Sequence, residues 1–407
     1  MKNFKLPLCT VLAGMLFSIS AVANLPEEST PKLLELAPLP EYKETTKNIV
    51  AALNHRHYIR AILDDDISEL IFSSYLSDID PSKSYLLAED IKSFSRFRLE
   101  LDNALRRGDI EPAFIIFNLY QEKVILRLEK IIALLETGTD QFNFDEDETL
   151  ELDRKEAAWA ASESELDDLW RRRIKNDVLN LRLAKKESQS ISELLLKRYK
   201  NRLKRTRQIR SEDVYQLFMN AFTKTYDPHT QYFSPTTSEN FNINMSLSLE
   251  GIGAVLEVED EYTKVVSLVP AGPADKAKQL QPNVGQGLVG EMVNVIGWRL
   301  DDVVQLIRGK KDTIVRLEIL SSNAADSSLG RIIQITRNKV NLEEQSAQSE
   351  IIEIEEAGKT KRIGVIDIPT FYIDFQALQN GDPFYRSTTK DVRNLLLDLQ
   401  DQHVDAV

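Results

Sequence analysis

The sequence predicts a multidomain α+β protein: an all-helical first half, a small β-barrel-like module with two helices, and a final α/β segment. Three observations predict it. Of 15 glycines in 407 residues, only Gly14, Gly108 and Gly138 precede residue 251. Apolar residues recur at helical spacing from about 45 to 225, the signature of helices buried on one face. Beyond 245 the pattern changes to short alternating runs, the signature of strands. The chain is 42% apolar and 28% charged, which fits a globular protein and excludes a mainly disordered one. A net charge of −13 makes non-specific nucleic-acid binding a poor expectation.

The elements follow in order. Lys2 and Lys5, the apolar or small run Leu6 to Ser20, and Ala21-Val22-Ala23 read as a cleaved export signal over 1–23. The apolar core is short for an uncleaved anchor. It also starts too close to Cys9 for lipidation. Cleavage would remove Cys9, the single cysteine, and move the net charge from −13 to −15. Residues 24–45, rich in Pro, Glu and Thr, are expected to be loosely ordered. Val50, Leu53, His57 and Ile62 share a rough helical face. Phe94, Phe97, Leu101 and Leu105 follow helical spacing up to a stop at Gly108. A long helix is expected over 111–136, stopped by Gly138. Ser162-x-x-Glu165 is a capping box: the Ser oxygen takes a free N–H and the Glu reaches back. It opens a helix to about 185, followed by helices over 190–208 and 211–225, the last capped by Ser211. Strands are expected at 254–258, 264–269, 314–320 and 331–336, with helices at 273–279 and 298–307 and a polar loop at 321–330. Strands at 351–354 and 363–368, a helix at 386–400 and the opening of a strand at Val404–Val407 complete the reading.

Most of the candidate chemistry has a plain structural explanation. Ser29-x-x-Lys32 has the spacing of a serine–lysine pair, yet nothing in the Pro-rich tail would desolvate the lysine. His55 and His57 would point to different faces of a helix and share no metal. Asp145, Asp147, Thr149, Glu151, Asp153 and Glu156 have the spacing of a calcium loop, but Leu150 stands where a sharp-turning Gly is required. Eight Lys and Arg between 197 and 210 are expected to pair with acidic segments rather than with nucleic acid. Tyr226-Asp227-Pro228-His229-Thr230 carries a turn signal, and His229 is expected to fix a domain junction. There is no G-x-S-x-G elbow and no cysteine nucleophile outside the signal. Gly251-Ile252-Gly253-Ala254 directly before a strand suits a loop whose backbone N–H groups hold a peptide's C-terminal carboxylate while the peptide adds as a strand. Glycine lets such a loop curl closely around its ligand.

Four segments taken together resemble a known family. Tyr226–Tyr232, Ser248–Val255, Val295–Val304 and Ile363–Phe371 are similar to the tail-specific, carboxy-terminal processing serine peptidases of the bacterial periplasm. The likeness runs in order from about 45 to 407. It implies a helical domain over 24–245, a PDZ domain over 246–338 and the start of an α/β peptidase domain over 339–407. Gly251, Ile252, Gly253 and Ala254 match the family's carboxylate-binding loop. The resemblance also implies apolar C-terminal tails as ligands, a lipoprotein adaptor in the envelope, no cofactor, and at most peripheral membrane association.

Two departures set further expectations. The family's catalytic Ser and Lys lie in a region with no counterpart here, so neither role falls on a residue of this sequence. The peptidase domain is expected to be incomplete and the chain inactive alone. Near residue 283 a strand of the PDZ module is expected to be missing, which would cost a ~90-residue module part of its core. Against the peptidase reading stand a non-catalytic tail-binding protein and the product of a disrupted gene.

Overall fold

The first half folds as helices because its apolar residues fall on helical faces that meet each other. The structure, a computed structural model, describes residues 35–259, 261–280, 284–289, 292–321, 331–356 and 358–407. The export signal, the Ser29–Lys32 pair and most of the 321–330 loop therefore lie outside the described residues. The helices are α1 (Tyr42–Arg56), α2 (Asp65–Ile79), α3 (Ala88–Phe94), α4 (Leu101–Arg107), α5 (Glu111–Glu136), α6 (Glu163–Leu183), α7 (Ser188–Arg207), α8 (Ser211–Thr223) and α9 (Pro235–Ser246). The long α5 has 26 residues and spans about 39 Å, so it serves two cores. Its Phe114 and Phe117 pack with Ile71, Phe72, Tyr75, Phe218 and Phe222. Its Leu128, Ile131 and Leu135 pack with Trp170, Ile174, Ile191 and Leu195. Burying each large side chain of this kind stabilises by roughly 1.5–3 kcal/mol before entropy.

Helix ends follow local chemistry. Gly108 closes α4 in the left-handed region at φ 70°, which glycine adopts without strain. Ser162 Oγ accepts from Glu165 N at 3.3 Å, while Glu165 reaches back one residue further than expected, to Ala161 N at 2.6 Å. Two expectations are corrected. The helix cap before α8 is Arg210, not Ser211, because Asp213 Oδ2 accepts the Arg210 N–H at 2.9 Å. Residues 42–45 are not loose but form the first turn of α1, held by buried Tyr42 stacked on Tyr215 at 4.1 Å.

The sheet-rich part comprises β1 (Ser248–Gly251), β2 (Ala254–Glu259), β3 (Tyr262–Leu268), α10 (Pro273–Ala277), β4 (Val284–Val289), β5 (Met292–Val293), α11 (Leu300–Ile307), β6 (Ile314–Ser321), β7 (Arg331–Thr336) and β8 (Asn338–Asn341). Six strands form one antiparallel sheet in the order β2-β3-β4-β6-β7, with β5 on β4. Among the described residues the order has β2 and β7 at its ends, so the strands of the β-barrel-like module expected are present without a closed barrel being shown. β1 pairs separately with β8. Residues 281–283 lie outside the described residues. Directly after them β4 runs between β3 and β6, with five paired positions on β6 and one on β3. Val265, Val295, Val303, Ile307, Leu317 and Ile335 lie in the core between the sheet and its helices.

The last segment holds β9 (Gln348–Glu356), β10 (Lys359–Asp367), α12 (Phe375–Gln379) and α13 (Thr388–Asp401). β9 and β10 form a two-stranded antiparallel hairpin. α13 crosses it where Gly364 leaves room: a Cβ there would sit 2.8 Å from Leu399 Cδ1. Beyond α13 the chain makes one parallel bridge, Ile363 to Ala406. Tyr372 anchors the segment, its hydroxyl donating to Asp391 Oδ2 at 2.7 Å and accepting Ala347 N at 3.2 Å. Leu36–Val407 forms one compact unit.

Candidate functional site

Gly251, Ile252, Gly253 and Ala254 form the connection from β1 to β2. Gly251 ends β1 opposite Asn338. Ile252 is buried at 2% exposure, and its carbonyl accepts Ala274 N at 2.8 Å. Gly253 has φ +72°, and a Cβ there would meet Val340 Cγ1 at 3.3 Å and Gly272 Cα at 3.4 Å. Its carbonyl accepts Val269 N at 2.9 Å. Ala254 opens β2 opposite Leu268.

Both loop carbonyls are thus tied back into the fold. Among the described residues, neither the Ile252 nor the Gly253 N–H has an acceptor. Buried backbone N–H groups are almost always paired. Two consecutive open N–H groups are what an anion-binding turn requires.

An end strand and a helix flank the loop. β2 is an end strand of its sheet, so one edge is open to a further strand. α11 packs against β2, burying Val303 and Ile307 and leaving Leu306 at 41% exposure. The C-terminal end of α11 meets the loop: Arg308 Cα would lie 3.8 Å from a Gly251 Cβ, and Gly309 N donates to Glu250 O at 3.4 Å. Arg308 donates to Asn240 Oδ1 at 2.7 Å, and burial pushes its guanidinium below the usual arginine range. The N-terminal end of α11 is fixed to the helical half. Arg299 makes a two-pronged pair with Asp213 at 2.5 and 3.1 Å. Gln208 Nε2 donates to Gly297 O at 2.6 Å, Arg210 pairs with Asp302, and Lys204 reaches Glu261 at 3.1 Å.

The remaining candidates resolve as follows. It is Asp227, not the His229 ring, that fixes the 226–230 turn. Asp227 accepts His229 N at 2.8 Å and the Tyr58 hydroxyl at 2.5 Å, which hold its carboxyl below the ordinary range. His57 Nε2 bonds Thr230 Oγ1 at 2.9 Å. The turn is therefore tied to the end of α1, inside the helical half, rather than to the sheet. His57 is the residue that ends α1, not an idle surface histidine. In the acidic loop, Glu151 pairs with Arg154 at 3.2 Å. Glu148, unremarked in the sequence, bridges Arg171 and Lys175 of α6. These two cations pull its carboxyl down to about 2. Among the described residues no group of three or more His, Cys, Asp or Glu is arranged to hold a metal ion, and no helix is long and apolar enough to cross a membrane. Sequence reasoning also did not foresee a cavity of 1040 Å³ where α9, β1, the Arg308–Lys310 turn and α12 meet.

Comparison with known proteins decides the family. A family model described as the tail-specific protease N-terminal domain matches residues 49–236. The tail-specific protease of Haemophilus influenzae is 35% identical over 408 residues, covering 99% of this chain and 54% of that protein. The chain belongs to the tail-specific protease family. It spans about half the length of this Haemophilus relative. The carboxy-terminal processing protease CtpA of Bacillus subtilis is 30% identical over 174 residues, 43% of this chain and 34% of that protein. A solved PDZ domain of a Vibrio cholerae carboxy-terminal protease, in complex with peptide, is 47% identical, covers 24% of this chain and 100% of its own, and has a TM-score of 0.22.

Proposed function

We propose that this chain is the substrate-gripping portion of a periplasmic tail-specific serine protease, and that its PDZ domain holds apolar C-terminal tails. The observation that carries this reading is the pair of open, buried N–H groups at Ile252 and Gly253, set at the start of end strand β2. A tail carboxylate would accept from both. The peptide behind it would pair antiparallel with β2, its alternate side chains resting on α11. Family membership supports a proteolytic context, because the similar proteins are named as proteases.

The chemistry of cleavage in this family uses a serine activated by a neutral, desolvated lysine. The Gly251–Ala254 loop has no part in that step, so tail binding is the activity proposed for this chain. Export is supported by Lys2, Lys5, the Leu6–Ser20 run and Ala21-Val22-Ala23. The mature protein is expected to begin at Asn24, a point that intact-mass measurement of exported protein checks.

Fluorescence titration with an apolar-tailed peptide and its amidated twin tests the carboxylate loop. The free acid is expected to bind at least about tenfold tighter, since hydrogen bonds to a charged group contribute ~1.5–3 kcal/mol. Equal affinity for both peptides would sink the assignment. Turnover of a tailed reporter by the contaminant-free chain would replace the binding-only reading with an active enzyme.

A further inference from the structure

Arg308 follows α11 directly and lies against the Gly251–Ala254 loop. Its Cα and Cγ would each sit 3.8 Å from a Gly251 Cβ. The backbone after it is stitched to β1: Gly309 N donates to Glu250 O at 3.4 Å and Lys311 N to Glu250 Oε2 at 3.3 Å. Closing the helix falls to another residue, Arg337, which donates to Leu306 O at 2.9 Å and to Ile307 O at 2.7 Å. Among the described residues the Arg308 side chain has one polar partner, the neutral amide oxygen of Asn240 on α9, at 2.7 Å. Glu239 and Asp301 act on it only from further away, and burial outweighs their pull. Arg299 and Arg386, also partly buried, each hold a carboxylate. Arg308 is a half-buried cation that holds none.

Its surroundings point to the anion it would take. The loop beside it has open N–H groups at Ile252 and Gly253. A carboxylate accepting from both would lie near the C-terminal end of α11, where the backbone carries partial negative charge. Two neutral amides beside that end make a weak seat for an anion. A guanidinium next to them offsets the helix end and adds two-pronged hydrogen bonds. Because Cγ is already at the first residue of the loop, rotation about the outer bonds of the side chain carries the guanidinium from Asn240 towards the loop. The cavity between α9, β1 and α12, which Arg308 lines, leaves room for that rotation. The other end of the exchange is α9. It has no buried residue and is tied to α11 and its end by Thr236 with Gln305 at 2.9 Å and by Asn240 with Arg308.

We infer that Arg308 is an exchangeable ligand of the tail carboxylate: Asn240 and a carboxylate at Ile252–Gly253 compete for its guanidinium, so that binding a tail loosens α9. This rests on the tail-binding reading above. It adds to the loop a charge that selects free acids, and it gives the bound state a mark outside the loop.

The test uses the full chain and one apolar-tailed peptide as free acid and as amide, read by fluorescence anisotropy. The quantity is the ratio of the two affinities. Arg308→Gln is expected to lower that ratio by about five- to tenfold, the share of a hydrogen bond to a charged group, with the amide unchanged. Arg308→Lys should restore part of it, since the charge remains and the fork is lost. Asn240→Ala removes the competing acceptor and should tighten free-acid binding by about twofold or more, again with the amide unchanged. Hydrogen exchange over Pro235–Ser246 should rise when the free acid binds wild type. In Arg308→Gln it should be high from the start and rise no further. A ratio unchanged in Arg308→Gln, or a variant that weakens acid and amide alike, overturns Arg308 as a ligand and leaves the tail reading standing. Exchange over Pro235–Ser246 that does not rise on free-acid binding overturns the hand-over from Asn240. If Arg308→Gln does not fold, Asn240→Ala decides, and an unchanged ratio there overturns the inference. Equal affinity of acid and amide for wild type overturns the tail reading and this inference with it.

Discussion

Asp80 is buried at 1% exposure, yet its carboxylate is fully used. It accepts Ser84 N at 2.9 Å, Tyr85 N at 2.9 Å and Leu86 N at 3.1 Å, and so turns the chain from α2 towards α3. Asp80→Ala leaves three buried N–H groups without a partner and is expected to cost roughly 2–4 kcal/mol. Asp80→Asn keeps one acceptor and should cost less. Urea unfolding of both variants checks the order, and an Ala variant within ~0.5 kcal/mol of wild type would show that the turn holds without its acceptor. Nothing singled this residue out in the sequence, because one carboxylate serving three amides leaves no periodic trace. Gly253 is the opposite case. Its place before a strand in Gly251-Ile252-Gly253-Ala254 marks a loop, and its φ of +72° is the conformation that glycine supplies at no steric cost. Gly253→Ala is expected to strain the loop by ~1–2 kcal/mol and to weaken tail binding more than it lowers the melting temperature of the helical half. Unchanged tail affinity would argue against the loop as the carboxylate site.

Elements with strong local signals were legible to within a few residues. The helix expected over 111–136 is Glu111–Glu136, because left-handed glycines at 108 and 138 bracket it. Strands expected at 254–258 and 331–336 lie at 254–259 and 331–336. What stayed hidden depends on distant partners. α9 is a mostly polar run, Pro235–Ser246, with no buried residue, so no apolar stripe announces it. β1 and β8 have four residues each and pair across some ninety residues of sequence, a contact that no local window contains. The acidic loop before α6 was legible as acidic, but its function was not. Glu148 holds it against Arg171 and Lys175, and its carboxyl is lowered to about 2. An unfolded Glu titrates near ~4.3. The bridge is therefore fully present above that pH and is lost as pH falls towards 2. Glu148→Gln should melt lower than wild type at neutral pH, and the two curves should converge through the acid range. Hydrogen exchange confined to 145–156 and the facing turns of α6 gives a local readout. A gap between wild type and variant that persists undiminished at the acid end would assign the stabilisation to another group.

At the scale of the molecule, the sheet module is held to the helical half largely through polar side chains. Arg299 with Asp213, Arg210 with Asp302, Lys204 with Glu261 and Gln208 with Gly297 gather at the N-terminal end of α11 and the β2–β3 turn. The Gly251–Ala254 loop lies at the other end of α11, beside Arg308. This separation makes a physical prediction. Charge pairs near the surface weaken as salt shortens the screening length from ~10 Å at 0.1 M to ~3 Å at 1 M, whereas buried apolar contacts do not. Asp213→Asn and raised salt should therefore loosen the seat of the module without unfolding it. Hydrogen exchange is expected to rise at Gln208–Asp213 and at the first turn of α11, with the sheet core around Val315, Leu317 and Ile335 unchanged. Affinity for a short free-carboxylate tail should stay within about twofold, because no group that holds the tail takes part in the seat and isolated surface pairs contribute only ~0–1 kcal/mol. Loss of short-tail binding together with the seat would instead mean that the loop is shaped by the helical half.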